Sequence, residues 1–158
     1  MYRSSSYNFS DQTPSGGLKD INFMNSVDIE EFSLYGISTI YYKISSLQTN
    51  YDDVFRDTLS SKNFDEPIQL RSFFKVDEST THGMGETGIG QIADRTGNVW
   101  FNISLIEKEL QRPPVLGDVV ENTQIHQKFE IYAISKELHR LGHPLRYLCK
   151  VRLYQDSR

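Results

Sequence analysis

The chain has 158 residues, 37% of them hydrophobic and 24% charged, with a formal net charge of -4, which predicts one polar globular domain and excludes wholesale disorder or two domains of ordinary size. No apolar run approaches the roughly 20 residues that span a bilayer, and residues 1–17 lack the apolar centre of a signal peptide, so neither a membrane protein nor a secreted one is expected. The single cysteine, Cys149, excludes an internal disulfide and a zinc site of paired cysteines.

Residues 1–24 are rich in Ser, Asn, Gly and Asp, carry the breaker Thr13-Pro14-Ser15-Gly16-Gly17 and show no sustained apolar period. They predict a flexible arm ahead of a single domain over 25–158, anchored only by Tyr2, Tyr7 and Phe9 and ordered against a partner. In 25–35, Asn25 or Ser26 offers an N-cap, and Asp28, Glu30 and Glu31 then fall in the first turns, where the helix dipole favours negative charge. A short helix ending before Gly36 is expected.

Strands dominate from there. Residues 36–44 alternate, with Ile40, Tyr42 and Ile44 on one face and Thr39, Tyr41 and Lys43 on the other; in 67–76, Ile68, Leu70, Ser72, Phe74 and Val76 oppose Gln69, Arg71, Phe73 and Lys75. Between them, 52–59 has the spacing of two helical turns. Residues 99–104 form a further strand, after which Ser104 and Glu107 make a capping box for a short helix through Leu110, ended by Pro113-Pro114. Further strands are expected at 118–121, 129–134 and 146–154, with Gly117 and Asp118 as turn residues. In the last, Tyr147, Cys149, Val151 and Leu153 line one face and Lys150 and Arg152 the other. About six strands with one to three short helices predict a mainly β fold, a small antiparallel β-barrel or sandwich, since no helix is long enough for regular parallel crossovers.

The segment from His82 through Gly83, Gly85, Glu86, Gly88 and Gly90 spaces its glycines like a nucleotide loop. A phosphate cradle needs a long helix after it, however, and here Val99-Trp100-Phe101 follows as a strand. Residues 78–97 instead predict a long, narrow, Gly-rich loop, and a loop of that length in a compact domain is expected to have a task. His139 and His143 have metal-ligand spacing, but Gly142 and Pro144 oppose the helix that would aim them together. Cys149 sits on an apolar strand face, where burial raises a thiol pKa rather than activating it. The acidic groups Asp52, Asp53, Asp57 and Asp28, Glu30, Glu31 read as solvated helix faces, and Trp100 as a sheet residue or interface anchor. No enzyme signature emerges and no cofactor is expected.

Charge divides unevenly along the chain: residues 1–123 hold 10 basic and 18 acidic side chains, a balance of -8, while 124–158 hold 7 and 3, a balance of +4. The division suits end-to-end contact between copies or neighbours better than a dedicated nucleic-acid binder. Arg140, Arg146, Lys150 and Arg152, with Tyr2, Tyr7 and Phe9 of the arm, are the candidates for contacts between subunits or rings.

From about Asp28 to Tyr154, roughly four fifths of its length, the chain resembles the neck, or head-completion, protein of contractile-tailed bacteriophages. The resemblance lies in the order of segments: Tyr35-Gly36-Ile37 leading into Ile40-Tyr41-Tyr42, the acidic Asp52-Asp53-Val54-Phe55, Phe73-Phe74, a Gly-rich stretch before Val99-Trp100-Phe101-Asn102-Ile103-Ser104, and Leu141-Gly142 before a long strand. Its most informative part is Pro114-x-x-Gly117-Asp118-Val119-Val120 followed by Phe129-Glu130-Ile131, similar to the barrel of several phage head-tail joining proteins. The resemblance implies a β-barrel subunit of a virion, assembled as a hexameric ring at the head-tail junction. Its partners would be a portal or adaptor ring on the head side, a tail terminator on the tail side and packaged double-stranded DNA in the channel, with no membrane. The ring would close the filled head as a stopper and dock the tail. Glu78, His82, Gly83, Gly85, Glu86, Gly88, Gly90, Asp94 and Arg95 become candidates for a loop narrowing the channel, with too little positive charge to grip DNA. Similar proteins can continue past the last strand, and the contacts such a segment makes there are expected to be absent here or replaced by the N-terminal arm. A tail terminator or baseplate component of the same virion is the alternative. A second alternative is a barrel binding single-stranded nucleic acid through Trp100, Phe73, Tyr154 and the basic excess.

Overall fold

Alternation of apolar and polar residues gives a strand one face for a core and one for solvent, and a sheet of such strands hides its inner face most completely by closing on itself. The computed structural model shows this solution; it describes residues 14–45, 62–77, 95–138 and 142–154, with side chains from Lys19 onward. The elements are α1 (Pro14–Tyr35), β1 (Ile37–Tyr42), β2 (Ile68–Asp77), β3 (Thr96–Asn102), α2 (Ile103–Leu110), β4 (Val119–Asn122), β5 (Gln127–Glu137) and β6 (Arg146–Leu153).

The six strands form a closed antiparallel barrel in the order β1-β2-β3-β6-β5-β4. Thr39 lies opposite Leu70, Phe73 opposite Trp100, Val99 opposite Cys149, Ile131 opposite Val151 and Phe129 opposite Val120, and Val120 opposite Tyr41 completes the circle. The interior is packed solid. Tyr41, Val99, Phe101, Phe129, Ile131, Cys149 and Val151 are each 1% exposed or less and form one cluster with Leu70, Val120 and Tyr147. A small barrel whose inward side chains meet in this way has no bore.

Helix α2 completes that core by laying Ile106 and Leu110 into it. The expected capping box at Ser104 is replaced by Asn102, whose side-chain oxygen accepts from the Leu105 amide at 3.1 Å, so the strand expected through residue 104 gives way to helix at Ile103. Gln111 ends the helix in the left-handed region at φ 56°, ψ 20°.

The largest departure from the sequence expectation is α1. An arm through residue 24 and a short helix from 25 were expected, whereas one 22-residue helix begins at Pro14. Proline is compatible with a helix's first turn, where its missing N–H leaves no bond unmade. Asn25 and Ser26 are therefore interior rather than caps: Ser26 Oγ donates to the Phe23 carbonyl at 2.7 Å and Asn25 Nδ2 to Ser104 Oγ at 3.0 Å. The acids Asp28, Glu30 and Glu31 fall in the second half of the helix, so the dipole does not account for them. Gly36 follows because of close approach: a Cβ there would stand 2.4 Å from the Phe32 carbonyl oxygen. Of the Gly-rich loop expected at 78–97, Thr96 and Gly97 belong to β3, Arg95 precedes that strand, and 78–94 lie outside the described residues. The expected helix at 52–59 lies outside the described residues.

Candidate functional site

The segment Arg112-Pro113-Pro114-Val115-Leu116-Gly117-Asp118 leaves α2, turns and enters β4. Gly117 makes the turn at φ 93°, a backbone that side-chain-bearing residues rarely adopt. Asp118 then points into the barrel wall with no exposure. Its Oδ2 accepts from the Tyr41 hydroxyl at 2.6 Å, Arg112 Nη1 at 2.9 Å and the Val115 amide at 3.1 Å, and its Oδ1 from the Ile44 amide and Arg112 Nη2, both at 2.8 Å. Its backbone carbonyl accepts from the Ile131 amide at 2.8 Å. The carboxylate thus ties the end of β1 to the α2–β4 connection, and the backbone carbonyl of the same residue adds β5, at the seam that closes the barrel. The electrostatics follow from burial. Desolvation first, then the adjacent Asp118 charge, drives the Tyr41 phenol far above its ordinary value. Burial lowers the tendency of Arg112 to hold its proton, but hydrogen bonding and charge from Asp118 outweigh it and leave the guanidinium above its usual value.

A second constellation pins α1 to the outside of the barrel. Asp28, 3% exposed, accepts from Asn102 Nδ2 at 2.7 Å and from Arg146 Nε at 2.6 Å, while Arg146 Nη2 reaches Glu31 at 2.7 Å. The guanidinium also lies 5.1 Å from the ring centre of Phe32 and 5.3 Å from that of Phe73, two rings 4.3 Å apart. Ion pairing and cation–π contact act on one side chain. The acids read as a solvated helix face are therefore partly a docking face.

Arg146, a candidate for contact between copies, is engaged within its own chain. Lys150 stands exposed on the outer face of β6 between Asn98 and Ala133, and Arg152 is 3.3 Å from Glu130, which also pairs with Lys62. Arg95 Nη1 donates to Gln127 at 3.0 Å and its carbonyl accepts from Leu153 N at 2.7 Å, which ties it to the barrel rim. Tyr2, Tyr7, Phe9, Glu78, His82, Gly83, Gly85, Glu86, Gly88, Gly90, Asp94 and Arg140 lie outside the described residues. Of the three rings suggested for base stacking, Phe73 and Trp100 lie opposite each other on the outer face of β2 and β3, Phe73 packing on Phe32 beneath α1 and Trp100 donating to Glu137 at 3.1 Å, while Tyr154 meets Phe64 and Lys62 elsewhere.

No protein-family model and no curated protein sequence matches the chain. Function is therefore argued from its own residues. Among the described residues no group of three or more His, Cys, Asp or Glu side chains is placed to hold a metal ion, and none of the helices is long and apolar enough to cross a membrane. Cys149 is fully buried, and burial first, with Asp118 second, pushes its thiol up to about 12, where it is a poor nucleophile at neutral pH. Sequence reasoning treated Asp118 as a turn residue and overlooked Arg112. The available signal was an arginine six residues before an aspartate, with two prolines between them and an apolar strand after them.

Proposed function

We propose that the protein is a ring-forming virion protein of the neck of a contractile-tailed bacteriophage, closing the DNA-filled head and offering the surface on which the tail docks. The observation that carries the reading is the 112–118 segment. The Pro-x-x-Gly-Asp pattern on which the resemblance chiefly rests coincides with the buried Asp118 junction that closes the barrel. The residues that make the chain look like a head-tail joining barrel are thus those on which its closure depends.

The solid interior supports an assembly of subunits over a single tube. With Phe101, Phe129 and Val151 meeting inside, DNA has no path through one barrel, so a channel would be built between copies arranged around an axis. In such a ring the Gly-rich segment expected at 78–97, in which Glu78, Glu86 and Asp94 outweigh Arg95, would let DNA pass without holding it. The test is electron microscopy of purified particles carrying a label on this chain, with mass analysis of the same particles. The expected result is label at the head-tail junction at about six copies, the number the resemblance implies for a closed cyclic ring. Label at the far end of the tail would favour the baseplate alternative. Absence from the particle would overturn the reading.

A further inference from the structure

Helix α1 docks on the barrel through a mixed face of Phe32, Asp28 and Asn25, and carries a second face that is apolar. At about 100° per residue, Phe32 and Asp28 point to the barrel, where both are buried. Turned away from that face, Phe23, Val27 and Leu34 fall within about 40° of one another by the same rotation; they are 69%, 48% and 66% exposed, and Phe23 and Val27 also border a groove shared with Leu138 and Leu145. With about 200 Å² for a whole aromatic side chain and less for Val and Leu, this stripe offers on the order of 300 Å². Exposed Asp20 and Glu30 flank it, together with Glu31, which is already paired with Arg146, and Lys19 is the one basic residue of the helix. A surface helix ordinarily turns a polar face to water; this one turns out an apolar stripe with an acidic frame.

The counterpart lies on the barrel's outer wall. Register places Lys75 opposite Asn98, Asn98 opposite Lys150, and Lys150 opposite Ala133, with Tyr132 next to it at the β5 bulge. Lys75 and Lys150 are exposed and Tyr132 is 43% exposed, so the row presents positive charge beside an aromatic ring. Glu130, on the same wall, is already paired with Lys62 and Arg152. One surface of the chain is therefore apolar and acidic, and the other aromatic and basic.

We infer that the outward stripe of α1 docks on the Lys75–Lys150–Tyr132 wall of a second copy of this chain. The two surfaces differ, so the contact is heterologous and repeats from copy to copy, closing a ring when the rotation allows. The inference deepens the neck reading by naming the contact between ring neighbours. It rests on that reading only for ring closure, since self-association by itself requires no virion.

Sedimentation of the full chain over a range of concentrations tests it, with circular dichroism to confirm folding. Wild type is expected to self-associate. Phe23→Ala and Val27→Asp raise the dissociation constant roughly tenfold or more, as central anchors do. Glu30→Lys and Lys150→Glu, both at exposed positions that the fold tolerates, each weaken association, and the two together recover at least half of the loss, because the charges then face each other reversed. A wild type that stays monomeric overturns the inference, even if α1 variants still block particle assembly, since the occupant is then another virion protein. Unchanged association in Val27→Asp, or no recovery in the double swap, overturns it equally. Absence of the protein from particles would defeat the neck reading and leave these sedimentation results standing.

Discussion

Replacing Asp118 by Asn removes one negative charge and one acceptor while keeping shape. The carboxylate receives three donors at Oδ2 and two at Oδ1. An amide has one oxygen, so in either orientation its NH2 group confronts at least two donors, one of them a nitrogen of Arg112. Hydrogen bonds to a charged acceptor contribute about 1.5–3 kcal/mol each, and a buried ion pair broken on one side costs about 3–5 kcal/mol, so the expected loss is about 3–5 kcal/mol. Against a total of about 5–15 kcal/mol this is a large share, and it lowers the melting temperature of a chain this size by about 10 °C. Urea unfolding of wild type, Asp118→Asn, Arg112→Met and the double variant measures it. The double variant should lose less than the sum of the singles, by about 1–3 kcal/mol, because the two side chains share one junction. A loss below about 1 kcal/mol in Asp118→Asn, or strict additivity in the cycle, would refute the assignment of Asp118 as the closure of the barrel.

Three further outcomes are expected. Arg146→Lys keeps the charge but cannot span Asp28 and Glu31 while lying against Phe32 and Phe73, so it should cost about 1–3 kcal/mol and raise amide exchange in α1 before the barrel opens; equal protection in α1 would contradict the docking role. Gly36→Ala sets a methyl against the Phe32 carbonyl 2.4 Å away and should cost about 1–3 kcal/mol by overpacking, read by urea titration; no loss would mean that the α1–β1 junction yields freely. Stability should also fall in alkali. The unfolded thiol ionises at its ordinary value of 9.0, while burial holds native Cys149 protonated to about 12, and Tyr41 behaves likewise above 10.0. The native state then binds more protons than the unfolded one, so this stabilisation is complete below pH 9 and declines as pH rises, by about 1.4 kcal/mol per pH unit for each group. Cys149→Ala should flatten the first part of that decline, and an unchanged slope would count against the buried thiol.

The strands were legible because their core faces obey a period of two. Tyr147, Cys149 and Val151 are buried as the alternation of β6 requires, and Leu70 and Ser72 share the inner face of β2. Whether the sheet closes was not legible, since a barrel and a sandwich share this alternation; the pairing of β1 with β4 decides it. What escaped was held by polar contacts. The inner face of α1 docks through Asn25 and Asp28 as much as through Phe32, so no apolar stripe announced it, and Gly16-Gly17 read as a breaker although the helix runs through them. Asn102 ends a strand, caps a helix and holds Asp28 at once, and a one-dimensional pattern assigns such a residue a single task. The junction at Asp118 joins positions 77 residues apart, a separation over which local spacing carries no information.

The strand order has a consequence for how the chain is made. β6, the last of the six barrel strands in chain order, is inserted between β3 and β5, and its residues 146–153 provide the pairing surface for both. During translation two strands therefore wait with their backbone groups unpaired, a state prone to wrong partners. Loop-closure entropy makes the final insertion slow compared with local hairpins such as β4–β5. Yield of folded protein should accordingly depend on what shields β3 and β5 in that interval, which makes the rate of synthesis and the presence of chaperones, as much as any contact in the finished barrel, determinants of how many competent subunits reach an assembly.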